Sequence, residues 1–260
     1  MIDIHSHILP GLDDGAQDWR DALNLARAAV AEGITTIVAT PHHANGVYTN
    51  DASAVGAAVN EMNDRLAAEG IALTVRPGQE IRIHDDLLEA WSRGELLTLA
   101  GSRYVLIELP SSRIPRGTLD LLHELKLMNL SPIIAHPERN AEIASHPERL
   151  AELVAAGACG QVTTHSLLGG FGRRIEQIAW GLCRRGLIHL VSSDAHHVEK
   201  RGFLLRESYS KVSSVLGDNF ELFFRQNAEI VLYNGDIHVH PPIARNESIW
   251  RKIAKILRKS

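Results

Sequence analysis

The chain has 260 residues, of which 45% are hydrophobic and 22% charged, an ordinary composition for one globular domain with a large core. Its formal net charge of −4 gives no reason to expect nucleic acid as a partner. No apolar run is long enough to span a bilayer, and residues 1–5 lack the basic and apolar regions of a signal peptide. We therefore expect a cytoplasmic protein.

Short β-branched runs alternate with longer amphipathic stretches along the chain, which is the pattern of repeated βαβ units. The predicted strands cover residues 1–5, 34–40, 72–76, 104–109, 132–136, 157–162 and 187–193. The predicted helices cover residues 18–32, 52–68, 115–128, 148–156, 172–185, 202–215 and 219–226. Asp18 is the expected N-cap of the first helix, and Gly33 its left-handed C-terminal residue.

Seven strands joined by helices favour a parallel arrangement with both faces covered. The sequence therefore predicts an α/β fold, a (β/α) barrel with seven strands in a single domain. A doubly wound open sheet is the alternative, which the number of strands does not exclude.

Residue types that commonly bind metal ions recur at the C-terminal ends of these predicted strands. This is the edge where (β/α) barrels hold their active sites. The first and last strands each end in two such residues at alternate positions, which face the same side of an extended strand. Four further strand ends supply one residue each. The eight candidate ligands are His5, His7, His42, Glu80, Glu108, His136, Asp194 and His196. The weaker candidates nearby are Asp13, Asp14, His43 and His197.

A single histidine at a strand end is usually structural, but donors at six separate strand ends predict a shared metal centre. Eight donors exceed the six positions of one octahedral ion, so they imply at least two divalent ions, and bridging carboxylates leave room for a third. Imidazole and carboxylate donors without thiolate suit manganese, iron or zinc. Two or three such ions outweigh the three carboxylates, so the site should attract an anion such as a phosphate ester.

The two cysteines, Cys159 and Cys183, lie in mostly apolar surroundings and outside any CxxC pair. The sequence therefore indicates neither a disulfide framework nor a thiolate zinc site. A cysteine phosphatase would need an arginine six positions after its nucleophile, but His165 and His189 occupy those positions. We expect buried structural thiols and no cysteine nucleophile.

Several segments together resemble the polymerase and histidinol phosphatase (PHP) superfamily: HSH, TPHH, GQE, IELP, AHPER and SSDAH. The segments LPGLDDGA and SLLGGFG resemble its manganese-dependent bacterial tyrosine-phosphatase branch, the CpsB/YwqE type. The resemblance covers about residues 1–235. It implies the PHP fold, a distorted (β/α)7 TIM-like barrel, with a three-metal site of manganese held by the eight candidate ligands. Two positions depart from the pattern: Asn140 stands where an aromatic residue is expected, and Gly202 where proline is usual.

The resemblance also implies an activity, the hydrolysis of phosphotyrosine on a bacterial tyrosine kinase that controls capsule or exopolysaccharide synthesis. By the same match, Asp14, Arg139 and Arg201 lie around the phosphate. Our hypothesis is attack by a metal-bridging hydroxide without a covalent phosphoenzyme. Arg139 and Arg201 would hold the phosphoryl oxygens as planar forks, and Asp14 or His197 would help to protonate the leaving oxygen.

Three alternatives remain open from the sequence. A small-molecule phosphatase of the histidinol-phosphate type would share the metal ligands but needs a tighter pocket. An amidohydrolase-like C–N hydrolase also uses an HxH pair on a barrel, although the ligand order fits it poorly and no strand-end lysine is evident for carboxylation. A non-catalytic module that binds phosphoproteins is disfavoured by the complete set of ligands.

A basic segment, residues 246–260, follows the predicted phosphatase barrel, to which we assign residues 1–245. Ile249, Ile253, Ile256 and Leu257 fall on one face of a helix there, with basic residues mainly elsewhere. We predict an amphipathic C-terminal helix that packs on the barrel or a neighbouring subunit, or else contacts an anionic membrane surface. The sequence leaves the oligomeric state open.

Overall fold

The computed structural model describes residues 1–241, in which strands and helices alternate; the predicted C-terminal helix lies outside the described residues. The strands are β1 (Ile2–Ser6), β2 (Thr36–Ala39), β3 (His42–His43), β4 (Thr74–Pro77), β5 (Glu80–Arg82), β6 (Tyr104–Glu108), β7 (Ser131–Ala135), β8 (Cys159–Thr163) and β9 (Leu190–Ser192). The helices are α1 (Trp19–Glu32), α2 (Ala52–Ala68), α3 (Leu87–Ser92), α4 (Thr118–Leu127), α5 (Ala141–Ser145), α6 (Glu148–Ala155), α7 (Thr164–Leu167), α8 (Arg173–Arg184), α9 (Leu205–Leu216) and α10 (Asp218–Leu232). None of the helices within this range is long and apolar enough to cross a membrane.

The strands form two parallel sheets, so the predicted α/β class is confirmed. One sheet has the order β1-β2-β4, and the other the order β3-β5-β6-β7-β8-β9. The chain passes from the first sheet to the second twice, at Thr40-Pro41 and at Gly78-Gln79. Pro41 has no N–H to donate to a ladder, and a Cβ at Gly78 would approach Val38 Cγ1 to 2.8 Å. The two predicted strands 34–40 and 72–76 correspond to β2 and β4, and each is followed after its break by a short strand that was not predicted, β3 or β5.

Apolar side chains cover both faces of the strands, as a parallel arrangement requires. Along β6, Val105 and Ile107 belong to the larger apolar cluster, while Tyr104 and Leu106 belong to a smaller one. Helix α10 contributes Ala228 and other residues to the smaller cluster. The strands are therefore buried on both sides, and polar side chains collect where the strands end.

Helix boundaries follow the predictions closely near the N-terminus and less well near the C-terminus. The side chain of Asp18 caps α1, and Gly33 ends it with a φ of 85°. The predicted end of the last helix is wrong, because α10 continues to Leu232. It passes through Asn227, which is fully buried and whose amide donates to the backbone carbonyls of His189 and His238. Tertiary hydrogen bonds thus satisfy a polar residue inside the helix.

The two sheets also meet at the end of β1 and just beyond β9, through a parallel bridge between Ser6 and Ala195. The N–H of Asp194 donates to the carbonyl of His5, and the N–H of His7 donates to that of Ala195, both at 2.9 Å. This contact between residues 5–7 and 194–196, called the seam below, holds the end of the first strand against the end of the last. Four of the eight candidate ligands lie on it.

Asp3 fastens the seam from within the protein. Its carboxylate is completely buried and accepts hydrogen bonds from the backbone N–H of Ser193, at 3.0 Å, and from the Ser193 hydroxyl. Burial raises the pKa of Asp3 to about 6, although the bonds from Ser193 oppose that rise. Asp3 therefore ties the chain directly before Asp194 to the first strand.

We expect Asp3→Ala to destabilise the protein, because it leaves the buried N–H of Ser193 without its acceptor. A buried polar group without a partner costs about 1–3 kcal/mol, and each kcal/mol lowers the melting temperature of a protein this size by roughly 2–4 °C. Thermal unfolding followed by circular dichroism measures the effect. Asp120→Ala, at an exposed position of α4, is the matched control. Equal melting temperatures for both variants would contradict a structural role for Asp3.

Candidate metal centre

The eight predicted ligands meet at one end of the strands. Most of them are buried: His5, His7, Glu80, Glu108, His136, Asp194 and His196 each expose 8% or less of their surface. His42 is more open, with 13% of its side chain exposed. So many titratable groups buried in mutual contact require a common explanation, because each would be costly to bury alone.

Glu80 and Asp194 form the centre of the cluster together with His5 and His7. The Nε2 atom of His5 lies 3.4 Å from Glu80 Oε2 and 3.3 Å from Asp194 Oδ1. The Nε2 atom of His7 lies 3.4 Å and 3.2 Å from the same two oxygens. Both oxygens are buried and accept no hydrogen bond. Two imidazole nitrogens and two unpartnered carboxylate oxygens within 4.8 Å of one another suit a divalent cation.

A second group of donors surrounds the carboxylate of Asp14, which is half exposed. Its Oδ1 lies 3.5 Å from His42 Nε2 and 3.4 Å from His196 Nε2. With His7, these residues again place one ligand atom each within 4.8 Å. The geometry therefore groups Asp14 with the candidate ligands.

A third group consists of His42, Glu80 and Glu108. His42 Nδ1 lies 2.9 Å from Glu80 Oε2 and 3.9 Å from Glu108 Oε2. His136 joins from the other side, with its Nε2 atom 2.6 Å from Glu80 Oε1. The three groups overlap at Glu80, His7 and His42, so their donors form one continuous cluster.

Hydrogen bonds to the other ring nitrogen orient three of the imidazoles. His5 Nδ1 pairs with Gln161 Oε1 at 3.0 Å, and His7 Nδ1 with Asp13 Oδ2 at 2.6 Å. His196 Nδ1 pairs with the backbone carbonyl of Asp194 at 2.9 Å. When Nδ1 donates in each pair, Nε2 keeps its lone pair toward the cluster. Histidines that bind metals are usually held in this way.

The turn after β1 makes the Asp13 contact possible. Asp13 also accepts hydrogen bonds from the N–H groups of Gly15 and His42. Gly15 passes so close to His7 that a Cβ would collide with the carbonyl oxygen of that residue. Only glycine fits there, and the turn can therefore fold back to bring Asp13 under the imidazole of His7.

The electrostatics of the central carboxylates favour ionisation. Burial raises the pKa of Glu80, but His5, His136 and His42 outweigh it and hold that pKa well below its usual range. Burial also opposes ionisation of Asp194, whose pKa is nevertheless held low by Arg139, His5 and Arg201. Both side chains are therefore carboxylates at neutral pH, the form that binds metal ions.

The imidazoles divide into two kinds. Burial lowers the pKa of His136 to about 4, with a contribution from Arg139, and that of His196 to about 4, with a contribution from His7. Both rings are neutral at pH 7 and can donate a lone pair. Burial also lowers the pKa of His5 and of His7, but neighbouring carboxylates overcome it and raise both. A cation that bound these two rings would displace their protons.

Two of the candidate ligands have strained backbones. His136 has a φ of 31° and Asp194 a φ of 55°, in the left-handed region that L-residues other than glycine rarely occupy. Such conformations persist where the surrounding structure enforces them, and they concentrate at functional sites. Here they turn each side chain inward directly after β7 and β9.

Arg139 and Arg201 converge on one atom of the cluster. Arg139 Nη2 donates to Asp194 Oδ2 at 2.7 Å, and Arg201 Nη2 donates to the same oxygen. Neither arginine pairs with the acids beside it in sequence. The buried Nε of Arg201 has no acceptor. An unpaired guanidinium donor at this position suits an anionic ligand.

Both arginines line a cavity of about 220 Å³ that opens beside the donor cluster. His42, Glu108 and His136 line it as well. Asn140 is also part of the wall, and its amide donates to the backbone carbonyls of Pro110 and Arg113. Asn140, which stands where an aromatic residue is expected, therefore holds the loop after β6 in place.

His197 lies apart from this cavity. It is exposed and lines a second cavity of about 290 Å³, together with Asp21 and Lys200. Its role in protonating a leaving group stays a prediction, as does that of Asp14. Cys159 and Cys183 are buried, as predicted, and burial raises both thiol pKa values, that of Cys159 to about 12.

Sequence reasoning missed two residues that support the ligands. Gln161 orients His5, and Arg82 binds Glu108, with Nε 2.9 Å from Oε2. Neither carries a signal in the sequence, because a glutamine or an arginine in a strand has many ordinary uses. From the sequence alone Asp13 is a weak candidate, although it lies in the LPGLDDGA segment.

The strands are parallel, and imidazoles and carboxylates gather where they end. The chain is therefore an α/β protein with a candidate metal centre. A family model described as capsular polysaccharide synthesis, CpsB/CapC, matches residues 1–233, and the chain belongs to this family. The chain is 45% identical over 242 residues to the tyrosine-protein phosphatase YwqE of Bacillus subtilis, covering 93% of this chain and 95% of that protein. It is 38% identical over 243 residues to CapC of Staphylococcus aureus, with the same coverage.

A solved structure agrees with this assignment. A crystal structure from a study of YwqE and of CpsB from Streptococcus pneumoniae, described as metal-dependent tyrosine phosphatases, matches with a TM-score of 0.90 and 44% identity. The match covers 94% of this chain and 100% of that chain. The lactonase Lmo2620 from Listeria monocytogenes matches with a TM-score of 0.51 at 14% identity, covering 91% of this chain and 92% of the lactonase. That likeness concerns the fold alone.

We expect His42→Ala and Glu108→Ala to lower metal content and metal affinity. Loss of a hydrogen-bond partner behind a ligand already costs about 10–100-fold in affinity, so loss of a ligand should cost at least as much. Metal analysis after dialysis against Mn²⁺, together with calorimetric titration, measures both quantities.

His146→Ala is the matched control for these variants, because His146 is exposed and pairs only with Glu148 among the described residues. If both site variants bound metal as well as wild type does, His42 and Glu108 would not be metal ligands.

Proposed function

We propose that this chain is a metal-dependent protein-tyrosine phosphatase that acts on a bacterial tyrosine kinase of capsule or exopolysaccharide synthesis. Membership of the CpsB/CapC family and 45% identity to a tyrosine-protein phosphatase support the activity. The observation that carries the proposal is the site itself, where unpartnered buried carboxylate oxygens face imidazole nitrogens beside two arginines. Metal-binding donors and anion-binding donors thus line one cavity.

We infer further that the two sheets act together as the distorted seven-stranded barrel that the sequence predicts. β2 with β3, and β4 with β5, would each count as one strand position. The Ser6–Ala195 bridge would join the last position to the first. This arrangement would account for the meeting of the six strand ends that carry candidate ligands.

The donor set suits two or three divalent ions, and manganese is our choice because imidazole and carboxylate donors accommodate it. His5, His7, Glu80 and Asp194 would hold one ion, and the groups around Asp14 and Glu108 would hold the others. When bound, such ions polarise phosphoryl oxygens and lower the pKa of water. Metal analysis of the purified protein would decide whether the ions are manganese, zinc or iron.

The protein's own residues would bind and orient the phosphate. Arg139 and Arg201 line the cavity and carry guanidinium donors that match phosphoryl oxygens. One N–H group of each arginine donates to Asp194, so both guanidinium groups lie next to the metal donors before a phosphate binds. Charge grows on the phosphoryl oxygens in the transition state, and fixed cations stabilise it there more than in the ground state.

The leaving group makes a small demand on the protein. Tyrosinate is a good leaving group, since the parent phenol has a pKa of about 10. Asp14 is half exposed at the edge of the donor cluster, where it could bind an ion or pass a proton to the leaving oxygen. Contact with His196, and to a smaller extent with His42, lowers the pKa of Asp14, so its carboxylate is ionised unless a ligand changes that balance.

Turnover of a tyrosine-phosphorylated peptide tests the proposal directly. Purified protein should release phosphate with added Mn²⁺, lose that activity on chelation, and regain it when metal returns. The Cys159→Ser/Cys183→Ser double variant should retain activity, because both thiols are buried with raised pKa values. Faster hydrolysis of histidinol phosphate than of the peptide would favour a small-molecule phosphatase. Activity that persists after complete metal removal would refute the metal-dependent mechanism.

We expect Arg139→Ala and Arg201→Ala each to lower kcat/KM for aryl phosphates by about 10²–10³, or roughly 2.7–4 kcal/mol, the usual loss of one transition-state donor. Arg→Lys should restore activity only in part, because an ammonium cannot form the two-pronged contact. Steady-state kinetics beside metal analysis separates this loss from loss of metal.

Arg174→Ala, an exposed arginine at the start of α8, is the control for the charge change. If both cavity variants kept their metal and stayed within a factor of about three of wild type, the arginines would have no role in catalysis.

A further inference from the structure

One aromatic side chain, Phe171, lies against both arginines of the cavity. The guanidinium carbon of Arg139 is 5.5 Å from the centre of its ring, and that of Arg201 is 5.6 Å away. Both distances fall within the ~6 Å over which an aromatic face attracts a cation. Within residues 1–241, no other ring contacts two cations in this way. The SLLGGFG segment supplies this residue, and the proposed mechanism has so far given it no task.

The turn after α7 fixes the position of Phe171. Gly169 has a φ of 80°, and the N–H of Gly170 donates to the carbonyl of His165 at 2.8 Å. This is the hydrogen bond of a Schellman turn, in which glycine provides the left-handed residue. The N–H of Gly172 then donates to the carbonyl of Gly169 at 2.9 Å. Phe171 therefore sits between two hydrogen-bonded glycines on a short, closed loop.

His165 also packs near the ring of Phe171. Its imidazole centre lies 5.7 Å from that of Phe171, and a Cβ at Gly170 would come within 2.9 Å of its Cδ2. Burial lowers the pKa of His165, and Arg201 lowers it further, so the ring is neutral. A neutral imidazole beside Phe171 adds no repulsion toward the two guanidinium groups.

The two arginines are each held on two sides. Their edges donate to Asp194, and their guanidinium groups approach the face of Phe171. A guanidinium can contact an aromatic ring while its remaining N–H groups stay free for a ligand. Arginine otherwise has many rotamers, and fixing one of them has an entropic cost that a bound phosphate would have to meet.

We propose that Phe171 is a positioning residue that aligns Arg139 and Arg201 for the phosphoryl group. The ring closes off orientations in which either guanidinium turns away from the metal donors. It acts through the arginines and not through contact with the substrate. This inference rests on the proposed function, in which the two arginines bind phosphate.

Substitution of Phe171 by leucine tests the inference, since leucine keeps an apolar side chain but removes the aromatic face. We expect Phe171→Leu to retain its metal content and melting temperature. Its kcat/KM for p-nitrophenyl phosphate should fall roughly tenfold to a hundredfold, as small displacements of positioning groups can cause. Phe171→Tyr restores the aromatic face and should stay within a factor of about three of wild type.

Two further measurements separate positioning from other roles. The affinity of Mn²⁺-loaded protein for inorganic phosphate, measured by calorimetry, should fall in Phe171→Leu and recover in Phe171→Tyr. Phe223→Leu, in the aromatic cluster of α10, should lower the melting temperature without changing kcat/KM. This control shows the result of a purely structural loss.

Several outcomes would overturn the inference. Unchanged phosphate affinity and unchanged kcat/KM in Phe171→Leu would do so, as would equal losses in the leucine and tyrosine variants. A higher KM for the phosphotyrosine peptide with normal turnover of p-nitrophenyl phosphate would mean that Phe171 contacts the peptide instead. An inactive wild-type enzyme would count against the proposed function alone, because the phosphate titration would still test the positioning role.

Discussion

Two fully enclosed carboxylates, Glu80 and Asp194, set the requirements for the rest of the site. Removing a carboxylate from water costs several kcal/mol unless opposite charge and hydrogen bonds compensate. Imidazoles compensate Glu80, and two guanidinium groups compensate one oxygen of Asp194, but one oxygen of each carboxylate accepts no hydrogen bond. A divalent cation placed among the imidazole nitrogens would complete the compensation. The same cation would make the cavity attractive to a phosphate.

Hydrogen bonds from the surrounding fold hold these charged groups in place, first at the ligands and then at the backbone behind them. Asp13 and Gln161 turn the imidazoles of His7 and His5 so that their Nε2 atoms face the carboxylates. Behind them, Asp3 fixes the chain before Asp194 through Ser193. The left-handed backbone at Asp194 persists because these bonds and the seam between the sheets constrain it from both sides.

The fold alone does not decide what such a site does. The lactonase from Listeria monocytogenes shares the fold at a TM-score of 0.51 and has only 14% identity. In this chain, the candidate metal donors lie beside two arginines that both bind one carboxylate oxygen. Phe171 and the glycine turn that carries it belong to the same arrangement, since they determine where the guanidinium groups can point.

The sequence by itself determined the α/β class, the helix caps at Asp18 and Gly33, and the eight candidate ligands. It could do so because periodic burial and strand-end donors are local patterns. The tertiary structure alone decided the breaks at Pro41 and Gly78, the continuation of α10 through Asn227, and the supporting roles of Asp3, Gln161 and Arg82. It also decided that Arg139 and Arg201 bind Asp194 and contact Phe171. Each of these depends on contacts between residues far apart in the chain, and such contacts are set only when the strands pack side by side.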